Sequence, residues 1–452
     1  MRVGIIGAGY VGLTTGVSLA ALDHEVTMVE KDPIRLSNLR NGVPHFFEPG
    51  LPELLESLEG KITFEDCIEK MIAGQDLIMI AVGTPPQPNG QADLSFVEQA
   101  AKEIANGIEP GKKLVVAVKS TVPLGTNRRV ELVIEKSLKA RQVAASVFIA
   151  SNPEFLRESL ALRDSLYPDR IVVGANKREA FEAMRQLYRP ILEQTFDPPS
   201  HLPRPDGYQL PPYITTDPTS AEMIKYASNA FLAAKISFIN EVAGLCERVG
   251  ADVTEVARGM GLDNRIGTKF LSAGVGWGGS CFPKDTLALI AVAKEFGYTM
   301  PMVEASREVN LRQRKFVVDK LQNELKSLRG RIVAVLGLAF KPNTDDVRES
   351  PALDVIRHLV DLGAHVKAHD PIAIENARAA LTHEDLEYFE AIEEAVQGTD
   401  AIVIATEWDE YHTLNFEHLA SLMRERVIVD GRNILKRQDA EKCGFRVLGI
   451  GR

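Results

Sequence analysis

The chain has 452 residues, of which 45% are hydrophobic and 25% charged, and these values are typical of a globular protein with two or three domains. Its formal net charge of −10 argues against a nucleic acid or an anionic membrane surface as the main partner, although a small anionic ligand can bind in a locally basic pocket. There is no apolar run long enough to span a membrane and no signal peptide pattern, and the four scattered cysteines lack metal or disulfide spacing, so we expect a cytoplasmic protein without a bound metal.

A buried strand, a glycine turn and a helix are predicted over residues 2–20. The glycines of the turn are Gly7, Gly9 and Gly12. They fit the G-x-G-x-x-G pattern, in which glycines allow a tight turn and bring a pyrophosphate to the helix N-terminus. A second strand at 24–30 ends in Glu30, at the usual position of a ribose-hydroxyl acceptor. A carboxylate there would repel a 2′-phosphate and so favours NAD over NADP, whereas the neighbouring Arg35 weakens that preference.

Strands and helices keep alternating, which predicts a doubly wound parallel sheet. The strand at 76–82 leads to Thr84, and the strand at 113–120 leads to Thr121. Ligands of such sheets bind at the carboxyl ends of the strands, so we expect both threonines to face the cofactor. The alternative is that threonine and proline only terminate these strands.

A further strand, starting at residue 147, is followed by a polar turn with Glu154 and Glu158. Two carboxylates four residues apart at a strand end could transfer protons. They could equally begin a helix, where acidic side chains complement the helix dipole. The proline-rich stretch 196–217 then predicts an irregular loop and a domain boundary.

A long helix is predicted over 218–250, with apolar residues on several faces. Such a helix is normally buried, so we expect it to lie between domains and between subunits of a homodimer or higher oligomer. Lys225 and Asn229 point the same way on it, either as functional groups or as an ordinary surface pair.

A glycine-rich loop at 274–285 presents Cys281 just before Lys284 and Asp285. A thiol beside a cation is a candidate nucleophile, because the thiolate is the reactive form. The alternative is a turn that happens to contain a buried thiol. We expect its glycines to allow close approach to a bound molecule.

Strand and helix alternation resumes near residue 331 and indicates a second doubly wound domain. Its first turn, 337–350, lacks the three glycines, so we do not expect a second dinucleotide there. It carries Lys341 and Arg348, which suit a phosphate or carboxylate unless they are ordinary surface charges.

The predicted fold is therefore α/β, with two doubly wound Rossmann-like parallel-sheet domains joined by a central, mostly helical domain with a long buried helix. We expect an NAD-binding domain at 1–200, a central helical domain for dimerisation at 217–325 and a C-terminal Rossmann-like domain at 329–452.

Six stretches in order along the chain together resemble the nucleotide-sugar dehydrogenase family. They are GAGYVG at 7–12, KSTVPLGT at 119–126, SNPEFLRE at 151–158, KYASN at 225–229, GGSCFPKD at 278–285 and FKPNTDDVRES at 340–350. The block at 151–158 resembles the glucose and GDP-mannose branches rather than the N-acetylhexosamine branch. The stretch FLSAGVGWGGSCFPKD at 270–285 looks more like the UDP-glucose type than the GDP-mannose type, which leaves GDP-mannose as the alternative substrate. Three departures are Ser159 where the family commonly has glycine, Pro86 where it commonly has threonine, and a long insert at about 196–212.

The resemblance implies an NAD-dependent four-electron oxidation of UDP-glucose to UDP-glucuronate, with a thiohemiacetal and then a thioester formed on Cys281. Lys225 and Asn229 would stabilise oxyanions, and Glu154 would act as the base for hydrolysis. Asp285 and Thr121 resemble residues that hold or activate a water molecule.

The binding residues expected on both grounds form two sets. The cofactor set is Gly7, Gly9, Tyr10, Val11, Gly12, Glu30, Arg35, Thr84, Thr121, Glu158, Lys284 and Arg348. The substrate set is Glu154, Phe155, Leu156, Arg157, Glu158, Lys225, Asn229, Phe270, Leu271, Ser272, Ala273, Gly274, Gly278 and Lys341.

Two functions from other classes remain open. A two-electron hydroxyacid dehydrogenase also joins a dinucleotide domain to a helical one with a Lys-x-x-x-Asn pair, but it would leave Cys281 unused. A non-catalytic NAD-binding scaffold would turn over no nucleotide sugar.

Overall fold

The computed structural model of the chain describes residues 1–452, which pack into two units. The first unit consists of residues 1–228 and 287–296, and the second consists of residues 229–286 and 297–452. The long helix α9 (Pro218–Val249) and the helix α11 (Phe282–Glu295) each contain residues of both units.

An eight-stranded sheet forms the centre of the first unit. Its strands are β1 (Arg2–Ile6), β2 (Glu25–Val29), β3 (Ile62–Glu65), β4 (Leu77–Ile80), β5 (Lys113–Val118), β6 (Ser146–Ser151), β7 (Ile171–Ala175) and β8 (Tyr213–Thr216). They are ordered β3-β2-β1-β4-β5-β6-β7-β8, and all neighbours are parallel except β6 and β7. The helices of this unit are α1 (Tyr10–Ala21), α2 (Pro33–Arg40), α3 (Leu51–Ser57), α4 (Ile68–Ile72), α5 (Ser95–Gly107), α6 (Thr126–Ala140), α7 (Ala161–Leu166) and α8 (Arg178–Glu193).

The central strands are apolar along their whole length because helices cover both faces of the sheet. Every residue of β4 is buried, and β1 is buried from its second residue onward. Helix α5 shows how one face is covered: its buried side chains recur at helical spacing. Those residues are Val97, Ala100, Ala101, Ile104 and Ala105.

The second unit is built on a six-stranded, fully parallel sheet. Its strands are β9 (Ile332–Leu336), β10 (His365–His369), β11 (Leu386–Phe389), β12 (Ala401–Ile404), β13 (Val427–Asp430) and β14 (Arg446–Gly449). They are ordered β11-β10-β9-β12-β13-β14. The remaining helices are α10 (Val253–Gly261), α12 (Pro301–Leu325), α13 (Pro351–Asp361), α14 (Ile374–Ala380), α15 (Ile392–Val396), α16 (Phe416–Leu422), α17 (Arg437–Lys442) and a 3₁₀ helix (Asp409–Thr413).

The core of the second unit includes one side of α9. Ile239 and Ala243 are fully buried in the same apolar cluster as β9. The opposite stripe is exposed in the single chain, with Phe231 67%, Phe238 51% and Leu245 60% accessible. The expected burial of this helix is therefore complete on some faces only, and an apolar stripe of seven-residue spacing faces outward. None of the helices combines the length and apolar character that crossing a membrane requires.

The predicted fold class is confirmed, since two parallel Rossmann-like sheets are joined along the chain by a helical region. One local expectation was wrong: the proline-rich stretch 196–217 is not irregular throughout, because it ends in β8. Tyr213 to Thr216 are β-formers that pair with β7 at the edge of the sheet, where the preceding prolines remove no ladder hydrogen bond. The antiparallel β7 was not expected either, because residue pattern does not reveal strand direction.

The backbone conformation at Ser159 favours glycine, the residue that the family commonly has there. Its φ of 67° lies in the left-handed region, where a Cβ costs about 1 kcal/mol and glycine is at ease. Replacing Ser159 with glycine is therefore expected to stabilise the first unit by about 1 kcal/mol. The two tryptophans, Trp277 and Trp408, both belong to the second unit, so urea unfolding should be followed by circular dichroism. Ser159→Ala keeps the Cβ and should show no gain; equal stabilisation by both variants would contradict the backbone explanation.

Candidate functional site

The glycine turn after β1 is shaped for a bound group. Gly7 has a φ of 93°, and a Cβ on it would lie 2.9 Å from the Ala81 carbonyl oxygen. A Cβ on Gly12 would lie 1.8 Å from the carbonyl oxygen of Gly7, so these two glycines are required by the turn itself. Gly9 has open space where its Cβ would be, directly at the N-terminus of α1. The first amides of that helix are therefore accessible to an anion.

The other predicted cofactor residues of the first unit lie at the carboxyl ends of its strands. The hydroxyl of Thr84 donates a hydrogen bond of 2.8 Å to the carbonyl of Thr121, so the structure brings these two residues together. Glu30 follows β2 and accepts a hydrogen bond from the Asp32 amide at 2.9 Å. Arg35 is exposed on α2.

These residues fit a dinucleotide. Tyr10 and Val11, the first residues of α1, are partly exposed and place their backbone at the open end of the turn. A pyrophosphate suits the accessible helix N-terminus, and the carboxylate of Glu30 is at the end of the second strand, where a ribose hydroxyl is bound in such folds.

Glu154 and Lys225 form a buried ion pair. Their side chains are 4% exposed each, and Nζ lies 2.6 Å from Oε1. The other carboxylate oxygen accepts the Leu156 amide at 2.5 Å. Burial by itself would raise the pKa of Glu154, but the charge and hydrogen bond of Lys225, with that amide, bring it below its usual value. Glu154 is thus a carboxylate at neutral pH.

The rest of the 154–158 turn is held by contacts within the first unit. The Arg157 guanidinium pairs with Asp164 through two hydrogen bonds of 2.9 and 2.6 Å. The Phe155 ring lies under the Arg170 guanidinium at 3.8 Å, and Glu158 is buried. The side chains of Phe155 and Arg157 are therefore already in contact with Arg170 and Asp164, and a ligand that binds them also lies near these two residues.

Glu48 was not expected from sequence, yet it links the cofactor turn to the 154–158 turn. Its carboxylate accepts hydrogen bonds from the Tyr10 hydroxyl and from the amides of Ser159 and Ala161, both at 2.7 Å. Burial raises the pKa of Glu48, and these donors oppose the rise. No local pattern marks Glu48, because its three partners are distant in sequence.

In the second unit, Cys281 directly precedes α11. Its carbonyl oxygen accepts the Asp285 amide at 2.8 Å, and its Sγ lies 3.5 Å from the Ser280 hydroxyl. Asp285 is buried and accepts hydrogen bonds from Asn229 and Lys284, each at 2.6 Å. The N-terminus of a helix favours negative charge, which suits a reacting sulfur. Asn229 is therefore tied to Asp285, whereas the lysine one turn before it on α9 is tied to Glu154.

The glycines of the cysteine loop pack against protein. A Cβ on Gly274 would lie 2.8 Å from the Gly431 oxygen, and one on Gly278 would lie 2.2 Å from the Glu349 oxygen. The Gly274 amide donates to Asn240 Oδ1 at 2.8 Å. The chain's own backbone therefore requires both glycines, a packing reason that the sequence did not reveal.

The residues before this loop alternate between core and surface. Leu271 and Ala273 are buried in the apolar core of the second unit, so only their backbone can contact a ligand. Ser272 is exposed, and Phe270, with a φ of 64°, packs at 6.3 Å from the ring of Phe282.

The predicted basic residues of the 337–350 turn differ in their surroundings. Arg348 is exposed and pairs with Asp346 at 2.7 Å. The Lys341 ammonium lies 5.5 Å from the Phe340 ring centre. Arg432, which the sequence analysis missed, is half-buried and donates to the Phe340 carbonyl at 3.2 Å, so a third cation belongs to this region.

The first turn of the second sheet is closed to a phosphate. The amides of Leu338 and Ala339, which would bind it, donate to Asp370 at 2.7 and 3.0 Å. The Thr406 hydroxyl also donates to the Ala339 carbonyl at 2.6 Å. This internal carboxylate supports the expectation that no second dinucleotide binds here.

The first unit contains a cavity of about 550 Å³ that none of these residues lines. It is lined by residues such as Gln87, Arg129 and Glu295 and contains none of the predicted site residues. The candidate chemistry therefore rests on the buried ion pair and the cysteine turn.

Three family models match the chain in order. They describe the NAD-binding domain, central domain and UDP-binding domain of the UDP-glucose/GDP-mannose dehydrogenase family, and they match residues 1–192, 219–312 and 334–437. The resemblance seen in the six sequence blocks is thereby confirmed.

Curated relatives and solved structures agree with the family models. The chain is 45% identical to UDP-glucose 6-dehydrogenase TuaD of Bacillus subtilis, covering 100% of this chain and 93% of that protein. It is also 45% identical to UDP-glucose 6-dehydrogenase of Rhizobium meliloti, with both chains fully covered. Among solved structures, a UDP-glucose dehydrogenase from Pyrobaculum islandicum is 40% identical with a TM-score of 0.88, covering 100% of this chain and 97% of that chain. The chain therefore belongs to the UDP-glucose/GDP-mannose dehydrogenase family and is an NAD-dependent oxidoreductase.

Proposed function

We propose that this chain oxidises the C6 alcohol of UDP-glucose to the carboxylate of UDP-glucuronate. The observation that carries the proposal is Cys281 at the N-terminus of α11, next to the buried Asp285 and its hydrogen-bond donors Asn229 and Lys284. The names of relatives 45% identical over the whole chain support UDP-glucose as the substrate.

The proposed chemistry balances as one alcohol, one water and two oxidations. The alcohol loses a hydride and a proton to give the aldehyde, and the sulfur of Cys281 adds to that carbon. The resulting thiohemiacetal loses a second hydride and proton to become a thioester. Water then cleaves the carbon–sulfur bond, giving the carboxylate and restoring the thiol. Bound NAD supplies the acceptor for each hydride.

Lys225 and Glu154 are assigned the charge and proton work of this scheme. The Lys225 ammonium would stabilise the alkoxide and the tetrahedral oxyanions. Glu154, already ionised, would accept the proton of the water that cleaves the thioester. Thr121 would help hold that water.

Asn229 and Asp285 are assigned to the sulfur side of the reaction. The Asn229 amide and Lys284 orient the Asp285 carboxylate through two short hydrogen bonds. Asp285 would then hold a water molecule near Cys281, and it would help to move the thiol proton that is lost when the sulfur adds to the aldehyde and regained when the thioester is cleaved. The nucleotide contacts would come from the 270–274 backbone, Gly278 and Lys341, with Arg348 and Lys284 assigned to the cofactor.

Stoichiometry is the decisive test of the four-electron proposal. We expect two NADH per UDP-glucose consumed, measured by absorbance and by chromatography of the nucleotide sugars. A ratio near one would favour the two-electron hydroxyacid-type reaction, and no turnover would favour a non-catalytic scaffold. GDP-mannose is the second candidate substrate, and parallel assays should give a clearly higher kcat/KM with UDP-glucose.

We also propose a homodimer or higher homo-oligomer. The exposed side chains of Phe231, Phe238 and Leu245 form an apolar stripe along α9, and subunit contacts commonly cover such surfaces. The domain boundaries 1–200, 217–325 and 329–452 are proposed on the same footing. Light scattering should give the mass of a dimer or larger assembly for the unsubstituted protein and a smaller mass for Phe238→Glu, which places a charge in the proposed subunit contact.

A further inference from the structure

Lys119 is a buried lysine that the mechanism above does not use. It follows β5, and its Nζ lies 3.3 Å from Asn152 Oδ1 and 3.3 Å from the Tyr188 hydroxyl. The Tyr188 hydroxyl donates to the same Asn152 oxygen at 2.6 Å. The hydrogen-bond partners of the ammonium are thus neutral, and it forms no ion pair.

The charges that act on Lys119 are those of the Glu154–Lys225 pair. Burial lowers the pKa of Lys119 to about 8, Glu154 opposes that change and Lys225 adds to it. Tyr188 is the other titratable group facing it, and burial raises the pKa of that phenol, so it stays neutral. The first unit therefore buries two cations and one anion together.

Such an arrangement is costly as a structural device. An ammonium without a carboxylate partner loses its hydration and recovers only part of it from neutral acceptors. An apolar side chain of similar length would fill the same space without that loss. What the lysine adds is a positive charge: the Glu154–Lys225 pair alone is neutral, and Lys119 gives the cluster a net charge of about +1.

We propose that Lys119 is a positioning residue. Its charge offsets that of Glu154 and so leaves the Lys225 ammonium available to a developing oxyanion. Through Asn152, two residues before Glu154, it also fixes the start of the turn that carries the carboxylate. This inference rests on the proposed function, since it assigns Lys225 to oxyanions of the same reaction.

The test is Lys119→Met, assayed for kcat/KM with UDP-glucose between pH 6.5 and 9.5 in roughly half-unit steps. In the unsubstituted protein kcat/KM should fall as the pH rises above about 8, because deprotonation removes the charge. In the variant, kcat/KM should be roughly ten- to fiftyfold lower at pH 7. The decrease above about pH 8, which we call the alkaline limb, should be absent, and the KM for NAD should be unchanged. An unchanged rate with the limb retained would overturn the proposal.

Tyr188→Phe is the matched control. It removes a hydrogen bond to the same Asn152 oxygen while the charge on Lys119 stays, so the alkaline limb should persist. If Tyr188→Phe lost both rate and limb as Lys119→Met does, the role of Lys119 would be packing alone.

A second measurement separates this inference from the proposed function. A lysine whose pKa is lower in the folded chain contributes a stability that rises with pH between about 8 and 10.5. Below about pH 8 the unfolding midpoint of Lys119→Met should lie above that of the unsubstituted protein. This difference should narrow as the pH rises through that range, because the unsubstituted protein gains stability. If no UDP-glucose were oxidised, the proposed function would fail while this titration still reported the buried charge. A pH-independent difference would refute that charge.

Discussion

Cys281→Ser is expected to lower the rate of UDP-glucuronate formation by roughly a thousandfold or more, because a hydroxyl is a far weaker nucleophile than a thiolate. The first oxidation does not need the sulfur, so small amounts of the C6 aldehyde of the UDP-sugar should still form. The fold should be kept, since the side chain is only half-buried and the helix contact is made by the Cys281 carbonyl. Chromatography of the nucleotide sugars and mass spectrometry of the denatured protein would measure both effects.

The matched control is Cys443→Ser. Cys443 is also a half-buried free thiol of the second unit, but it ends α17 far along the chain from the loop. Its replacement should leave the rate of UDP-glucuronate formation unchanged, and the thioester adduct on Cys281 should still form. Normal product formation by Cys281→Ser would remove the sulfur from the mechanism and return the loop to a purely structural role.

Lys225→Ala is expected to lower kcat by about 10²- to 10³-fold, as the loss of one oxyanion donor does. It should also destabilise the first unit by about 3–5 kcal/mol, because the buried Glu154 carboxylate loses its ion-pair partner. Without Lys225, burial should raise the pKa of Glu154. The stability deficit should therefore shrink as the pH falls and Glu154 becomes neutral. Steady-state kinetics and urea unfolding at several pH values would follow these effects.

The double variant Lys225→Met with Glu154→Gln separates catalysis from stability. Removing both charges should restore much of the stability lost in Lys225→Ala, since the buried carboxylate is then replaced by a neutral amide and only Lys119 keeps its charge. It should not restore turnover, because both the oxyanion donor and the base are gone. Recovery of activity together with stability would show that Lys225 acts only through folding.

The dinucleotide turn could be predicted because its information is local. The glycines at 7 and 12 are fixed by contacts within one strand, turn and helix, and the sequence pattern encodes that geometry. The glycines at 274 and 278 were also found, but the packing that requires them was not predicted. Their close neighbours are Gly431 and Glu349, more than 70 residues away, which no local pattern reveals.

Partner choice among charged residues was beyond the sequence for the same reason. The spacing of Lys225 and Asn229 placed both on one helix face, but only the fold paired the first with Glu154 and the second with Asp285. The contacts of Glu48 and of Lys119, which begins the block at 119–126, were not predicted because they join segments tens of residues apart.

The sequence by itself determined the alternation of elements, the cofactor turn, the candidate nucleophile Cys281 and the family, because periodicity and short motifs record local backbone requirements. Only the tertiary structure decided which carboxylate meets which cation and how many charges are buried together. Those facts depend on long-range packing, and burial is what turns an ordinary lysine or glutamate into one with an altered pKa.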